Sequence, residues 1–376
     1  MISFIILSLT ISIQPYVPIF EEKDMTKFLK ISIAIIVIAS TLLAGCQTAT
    51  TAPTEAPITE APATQAPAAE VPVTAHYKFA WIMPDMFNPF WVYMRQGAEK
   101  AAQELRKEGI QVDIQQMAPI QTFNVEEQVA IFENAILMNV DSIGICVIDQ
   151  NAVMDQVNNA VKLGIWVATL STDIPNSDRT VFAGQDNKVV AQQIADMAIK
   201  NNDGKGNYII LSGIAGNYIS EERDAGFLAA LTANPESKLL DKQPANFNRK
   251  DGMAVMENML QKYGPGEIQG VFTVNDEAAL GAMQAIQAAG RGDEITLVGI
   301  DGNEDASNAI KAGTMFATAA DDPWMKGYVA VYNLVYKLQN DARFQEKPEV
   351  KVTYVTKDNV DEYLKNFEYY AAFYKP

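Results

Sequence analysis

The sequence predicts an α/β protein with two parallel sheets, on three observations. From Tyr77 onward, short apolar runs rich in β-branched residues alternate with stretches of helical period, the pattern of parallel strands linked by crossover helices. At least nine such runs occur, and for a chain of 376 residues two sheets suit the length better than one. A content of 48% hydrophobic and 20% charged residues is that of a packed globular protein.

The chain opens differently. From Met25, Lys27 and Lys30 precede an apolar stretch from Ile31 to Leu43 and the small residues before Cys46, the order of regions in a secretory signal peptide. The apolar stretch is short for a bilayer span. Leu43-Ala44-Gly45-Cys46 resembles a bacterial lipobox, which implies cleavage before Cys46 and acylation of its thiol. Residues 1–45 are therefore read as a signal segment whose true start is Met25. Its removal takes away Glu21, Glu22, Asp24, Lys23, Lys27 and Lys30, so the net charge stays at −17. Residues 46–75, rich in Thr, Ala, Pro, Glu and Gln, cannot bury a core. Their regular prolines favour an extended stalk of roughly 3 Å per residue.

The strands expected in the body are Phe79 to Met83, Val112 to Met117, Ser142 to Ile148, Ile165 to Leu170, Val181 to Ala183, Tyr208 to Leu211, Val271 to Val274, Thr296 to Ile300 and Phe316 to Ala319. Between them, Val125, Val129, Phe132 and Ile136 keep helical spacing, as do Val153, Val157 and Val161 before the helix stop Gly164. Cys146, inside an apolar run, reads as a buried structural thiol.

Open parallel sheets bind ligands beyond the carboxyl ends of their strands. Polar residues there are Asp85, Ser171 to Asp173, Asn275, Asp301 and Asp321. Each could instead cap the next helix. Asp322-Pro323 already reads as a cap followed by proline at the first helical position, which leaves Asp321 free for another role.

Six elements occur in register with this pattern: Asn88-Pro89-Phe90-Trp91, Gly213-Ile214-Ala215-Gly216, Arg223 with Gly226-Phe227, Gln243-Pro244-Ala245-Asn246-Phe247, Asn275-Asp276-Glu277 with Ala279-Leu280-Gly281-Ala282, and Gly299-Ile300-Asp301-Gly302. Together they resemble the ribose- and galactose-type periplasmic sugar-binding proteins over about residues 77–355. The resemblance implies two similar Rossmann-like lobes joined by three crossovers near Gln185, Asp322 and Val352. Residues 76–185 with 323–351 would form one lobe, and 186–322 with 352–376 the other. It puts Asn88, Phe90 and Trp91 on one wall of the cleft and Arg223, Phe247, Asn275 and Asp301 on the other. Asp85, Ser171, Asp173 and Asp321 complete the expected ligand set. A sugar needs this mixture, because its C–H faces pack on rings while its hydroxyls both donate and accept.

The chain also departs from the ribose pattern. Ser171-Thr172 stands where that pattern has an Asp-Arg pair, and Asp321 where it has a Gln, so ribose is not carried over as the ligand. The stretch from Pro119 to Gln128, with Ser171-Thr172-Asp173 and Arg179, is more similar to the rhamnose- and autoinducer-binding branch.

The expected partners are a small sugar, the membrane subunits of an ABC import permease, and a membrane reached through lipid on Cys46. The protein is expected to act as a monomer. A sensory role feeding a receptor with a sugar-like signal such as an autoinducer is the alternative, and a carbohydrate-acting enzyme built on carboxylates a more distant one. Nucleic acid is not expected, since 46 acidic residues outweigh 29 basic ones and no basic run occurs. A lactose-repressor-type regulator would need a helix-turn-helix where this chain carries its leader and stalk. No enzyme, cofactor or metal is expected either: His76 is the only histidine, and neither a dinucleotide-binding nor a P-loop glycine motif is present.

Overall fold

The computed structural model describes residues 71–373. The expected leader, Cys46 and nearly all of the proline-rich stretch lie outside the described residues.

Two sheets form. The first has the order β2-β1-β3-β4-β5, from β1 (Ala75–Ile82), β2 (Ile110–Met117), β3 (Ser142–Ile145), β4 (Trp166–Leu170) and β5 (Val181–Ala183), all parallel. The second has the order β11-β10-β9-β8-β6-β7, from β6 (Gly206–Ser212), β7 (Ser237–Pro244), β8 (Gly270–Thr273), β9 (Thr296–Asp301), β10 (Ala317–Ala320) and β11 (Thr353–Thr356). Apart from the antiparallel edge strand β11, the second order repeats the first. In both sheets the chain starts in the middle and reverses direction, between β1 and β3 and between β6 and β8. That reversal opens a crevice at the carboxyl ends of the strands.

Helices cover both faces of each sheet. On the first, α1 (Pro89–Lys107) and α9 (Pro323–Leu338) pack over Phe79, Trp81 and Met83, while α2 (Val125–Leu137) and α3 (Gln150–Lys162) cover Ala80 and Ile82. Neighbouring side chains of a strand point to opposite faces, so one apolar run serves two cores. On the second, α4 (Asn187–Asn201) and α5 (Tyr218–Ala233) cover Tyr208 and Ile210. The opposite face, with Ile209 and Leu211, meets α6 (Arg249–Lys262), α7 (Asp276–Ala288) and α8 (Glu304–Ala312). The short α10 (Val360–Tyr363) and α11 (Lys365–Phe373) follow β11. The chain passes between the two halves three times: from β5 to α4, from β10 to α9, and from α9 to β11.

Several element limits differ from those expected. β1 begins at Ala75, paired with Ile110, so the first strand starts inside the expected stalk. The strand expected over Ser142 to Ile148 stops at Ile145. Beyond it the buried Gln128 amide donates to the Cys146 carbonyl and accepts from the Ile148 N–H, both at 2.9 Å, replacing a neighbouring strand. Two strands escaped the sequence reading. β7, Ser-Lys-Leu-Leu-Asp-Lys-Gln-Pro, is a charged edge strand with one buried residue, and β11 is a four-residue edge. Edge strands need no continuous apolar run, and charge protects them from pairing with other chains.

Candidate functional site

The carboxyl ends of both sheets face one cavity enclosing about 500 Å³, its mouth included. The first half lines it with Pro84 after β1, Asn88, Phe90 and Trp91 at the start of α1, Phe123 before α2, Cys146 and Val147 after β3, and Ser171 after β4. The second half contributes Asn217, Ile219 and Arg223 from α5 and its cap, Phe247 after β7, Asn275 after β8 and Asp301 at the end of β9. Eight of the eleven ligand residues expected from sequence therefore meet here: Asn88, Phe90, Trp91, Ser171, Arg223, Phe247, Asn275 and Asp301.

The other three stand off this wall for distinct reasons. Asp85 closes a turn, accepting from the N–H groups of Phe87 and Asn88 at 2.8 Å each. Asp173 is held by the Arg179 guanidinium fork and lies in a separate cleft beside Gln185 and Glu349. Asp321, expected to be free, is buried in an ion pair 2.6 Å from the Lys326 ammonium. Asp322 does cap α9, accepting from the Met325 N–H.

Capping and lining turn out to be compatible roles for the asparagines. Asn88, Asn217 and Asn275 cap α1, α5 and α7, accepting from Phe90, Ser220 and Ala278, and all three line the cavity. Arg223 is only 3% exposed, so it is no solvated helix charge. Its Nε donates to Asn187 Oδ1 at 3.0 Å and its Nη1 to the Val274 carbonyl at 2.7 Å. Its guanidinium also lies 3.6 Å from Asp301 and 3.4 Å from Asp321. One side-chain amide, one backbone carbonyl and two carboxylates thus fix the cation before any ligand arrives.

Behind the wall lies a group the sequence reading missed. Lys326, on α9, is fully buried and donates to Ser171 Oγ at 2.9 Å as well as pairing with Asp321. Its ammonium also sits 5.3 Å from the centre of the Phe90 ring, within cation–π range. Burial pulls the Lys326 ammonium down from its ordinary range, with Asp321 opposing. Burial likewise pushes the Asp301 carboxyl well above the usual carboxylate range, against the pull of Arg223. Ser171, Lys326, Asp321, Arg223 and Asp301 thus form one chain of polar contacts running from the first half to the second.

The backbone at the cavity is strained. Phe123 (φ 61°), Ser171 (61°), Phe247 (59°) and Asp301 (142°) all take positive φ without being glycine. Each such residue costs on the order of 1–3 kcal/mol, and such strain clusters where side chains must be aimed. Two of the strained residues meet across the crevice: Phe123 and Phe247 stack at 5.7 Å with an interplanar angle of 19°. Nearby, the Asn217 amide donates to the Ile148 carbonyl of the other half at 2.9 Å.

A family profile described as the periplasmic binding protein domain matches residues 79–342. The chain belongs to this family. Within it, the ribose import binding protein of Bacillus subtilis is 35% identical over 244 residues, covering 65% of this chain and 75% of that protein. Its counterpart from Salmonella typhimurium is 33% identical, covering 74% and 90%. A solved periplasmic solute-binding protein from Actinobacillus succinogenes with bound D-allose superposes with a TM-score of 0.70 at 26% identity, covering 76% of this chain and 99% of that one. One from Bacillus halodurans with bound myo-inositol gives 0.70 at 25%, covering 77% and 97%. This periplasmic binding protein is accordingly of the ribose and galactose type.

Asn217 could have been found as an amide following the Gly213 to Gly216 segment, where it caps the helix after β6 as Asn275 caps the helix after β8. For Phe123 and Lys326 no local signal exists. Lys326 sits in a helix among aromatic and apolar residues and reads as an ordinary helical lysine until the fold closes over it.

Proposed function

We propose that this protein captures a monosaccharide between its two lobes and delivers it to an ABC-type import permease. The observation that carries the reading is the cavity itself: aromatic rings from both halves (Phe90, Trp91 and Phe123 from the first, Phe247 from the second) enclose a space into which Arg223, Asn275 and Asp301 converge. Rings pack the C–H faces of a sugar, and the converging polar groups satisfy its hydroxyls once water leaves. The relatives are named as sugar importers' binding proteins, and the solved neighbours hold a hexose and a polyol. Binding followed by release, not turnover, is the activity assigned.

In this reading residues 76–185 with 323–351 move as one lobe and 186–322 with 352–376 as the other, hinged at the three passes of the chain. A monosaccharide shifts the population toward the closed form, which the permease recognises. The leader is removed, Cys46 carries lipid, and the Thr/Ala/Pro-rich stalk holds a monomeric body outside the membrane.

Thermal unfolding of the full chain against a panel of monosaccharides, polyols and autoinducer tests the ligand class. A ligand present at 100 times its dissociation constant adds about 2.7 kcal/mol to native stability and so raises the melting temperature. A flat response across the panel would remove the reading. The tether is tested separately, by labelling cells with radioactive palmitate: the wild-type chain should take up label and Cys46→Ser should not.

A further inference from the structure

The hydrogen-bond valences left open around the cavity are unequal, and this deepens the monosaccharide reading on which it rests. A side-chain amide accepts only through its oxygen, so a helix cap fixes which way the amide points. Asn88, Asn217 and Asn275 each accept from a helix N–H, at 2.9, 3.1 and 3.0 Å. Their NH2 groups are therefore turned away from the helix. Asn217 gives one N–H to Ile148 and Asn275 one to Phe247, which leaves each a second. Asn88 keeps both.

Ser171 is constrained in the same sense. An ammonium can only donate, so Ser171 Oγ accepts from Lys326 and its own hydrogen remains to be given. Arg223 adds further N–H groups. The acceptors are fewer. Asp321, the second carboxylate near the cavity, gives one oxygen to Lys326 and Arg223, and it stands behind the lining residues and not among them. Asp301 is the one carboxylate among the lining residues, and it already faces Arg223. Three helix N-termini also point their partial positive charge at this space. Asp276 and Glu277 temper that of α7 and Glu221 that of α5, but α1 has no acid in its first turn.

A neutral sugar brings one hydrogen with every hydroxyl, and each buried hydrogen needs an acceptor. A carboxylate brings acceptors only. We infer that the cavity takes a monosaccharide acid in preference to the neutral sugar of the same skeleton, the ligand carboxylate accepting from the asparagine, serine and arginine donors while its hydroxyls give their hydrogens to Asp301.

The test is titration calorimetry of the full chain in detergent with three matched pairs: D-glucose and D-glucuronate, D-galactose and D-galacturonate, D-ribose and D-ribonate. In at least one pair the acid should bind tenfold or more tightly than the neutral sugar. Asn88→Asp keeps an oxygen for the cap but replaces the NH2 donor with a second acceptor. It should cancel or reverse that preference while the melting temperature stays within a few degrees, an inversion that lost packing alone would not produce. Neutral sugars binding as tightly as their acids, or an acid preference unchanged in Asn88→Asp, would overturn the inference and leave sugar capture standing. Failure of all six compounds together with a flat thermal panel would overturn both.

Discussion

The decisive single residue is Lys326, because its charge is fully buried and has one carboxylate partner within 3 Å. Breaking a buried ion pair from one side costs about 3–5 kcal/mol, and without Lys326 the buried Asp321 would keep only the longer Arg223 contact at 3.4 Å. Lys326→Met should lower stability by that amount in urea unfolding, and adding Asp321→Leu should recover part of it. A loss under 1 kcal/mol in the single variant would mean that solvent reaches the pair. Asp276 makes the complementary case. Its carboxylate accepts from Thr318 and from the N–H groups of Gly302 and Asn303, yet burial still raises its pKa to about 6. A native pKa above the ordinary value of 3.8 means that the folded state holds the extra proton. The stability this contributes is present below about pH 3.8 and lost as pH rises through about 6. Urea midpoints measured from pH 4 to pH 7 should fall more steeply for the wild-type chain than for Asp276→Asn; parallel profiles would contradict the assignment.

Among elements, helix pairs that close on glycine organise the layers. A Cβ built on Gly97 of α1 would lie 1.8 Å from the Trp324 carbonyl oxygen of α9, and one on Gly327 would lie 1.9 Å from the Met94 carbonyl oxygen of α1. The two helices touch backbone to backbone, which sets how α9, and with it Lys326, sits under the cavity. Alanine favours a helix over glycine by about 1 kcal/mol. Here the clash is with main chain and no rotamer relieves it, so overpacking of about 1–3 kcal/mol or more wins. Gly97→Ala should therefore lower the urea midpoint, and a raised midpoint would show that the helices can part. The sequence made these helices legible through their 3.6-residue period, and likewise the strands with buried apolar runs. It concealed β7 and β11, because an exposed edge carries no such run. It concealed the end of β3 because the partner there is the Gln128 side chain and not another strand.

For the molecule as a whole, the contacts that join the two halves beside the cavity include the Phe123–Phe247 stack and the Asn217–Ile148 hydrogen bond. An aromatic pair contributes about 0.5–1.5 kcal/mol beyond the area it buries. Phe123→Ala should accordingly speed ligand dissociation by about 2- to 12-fold in stopped-flow fluorescence while changing association less. An unchanged dissociation rate would place Phe123 outside the closing surface.

The amino-acid order by itself determined the α/β alternation, the likeness to the sugar-binding family, and the positions that cap helices at the carboxyl ends of strands. These are local properties, read within a window of a dozen residues; of the eleven residues expected to meet a ligand, the structure brings eight to one cavity. Which carboxylate faces the cavity was decided only by the tertiary structure. Asp301 and Asp321 follow neighbouring strands in the same way, yet one stands on the cavity wall and the other is neutralised behind it. The difference is Lys326, which follows Asp321 closely in the chain but is fully buried against Ser171 and Phe90 of the opposite half: Coulomb attraction strengthens where water is excluded, and that exclusion exists only once the chain has crossed between its two sheets.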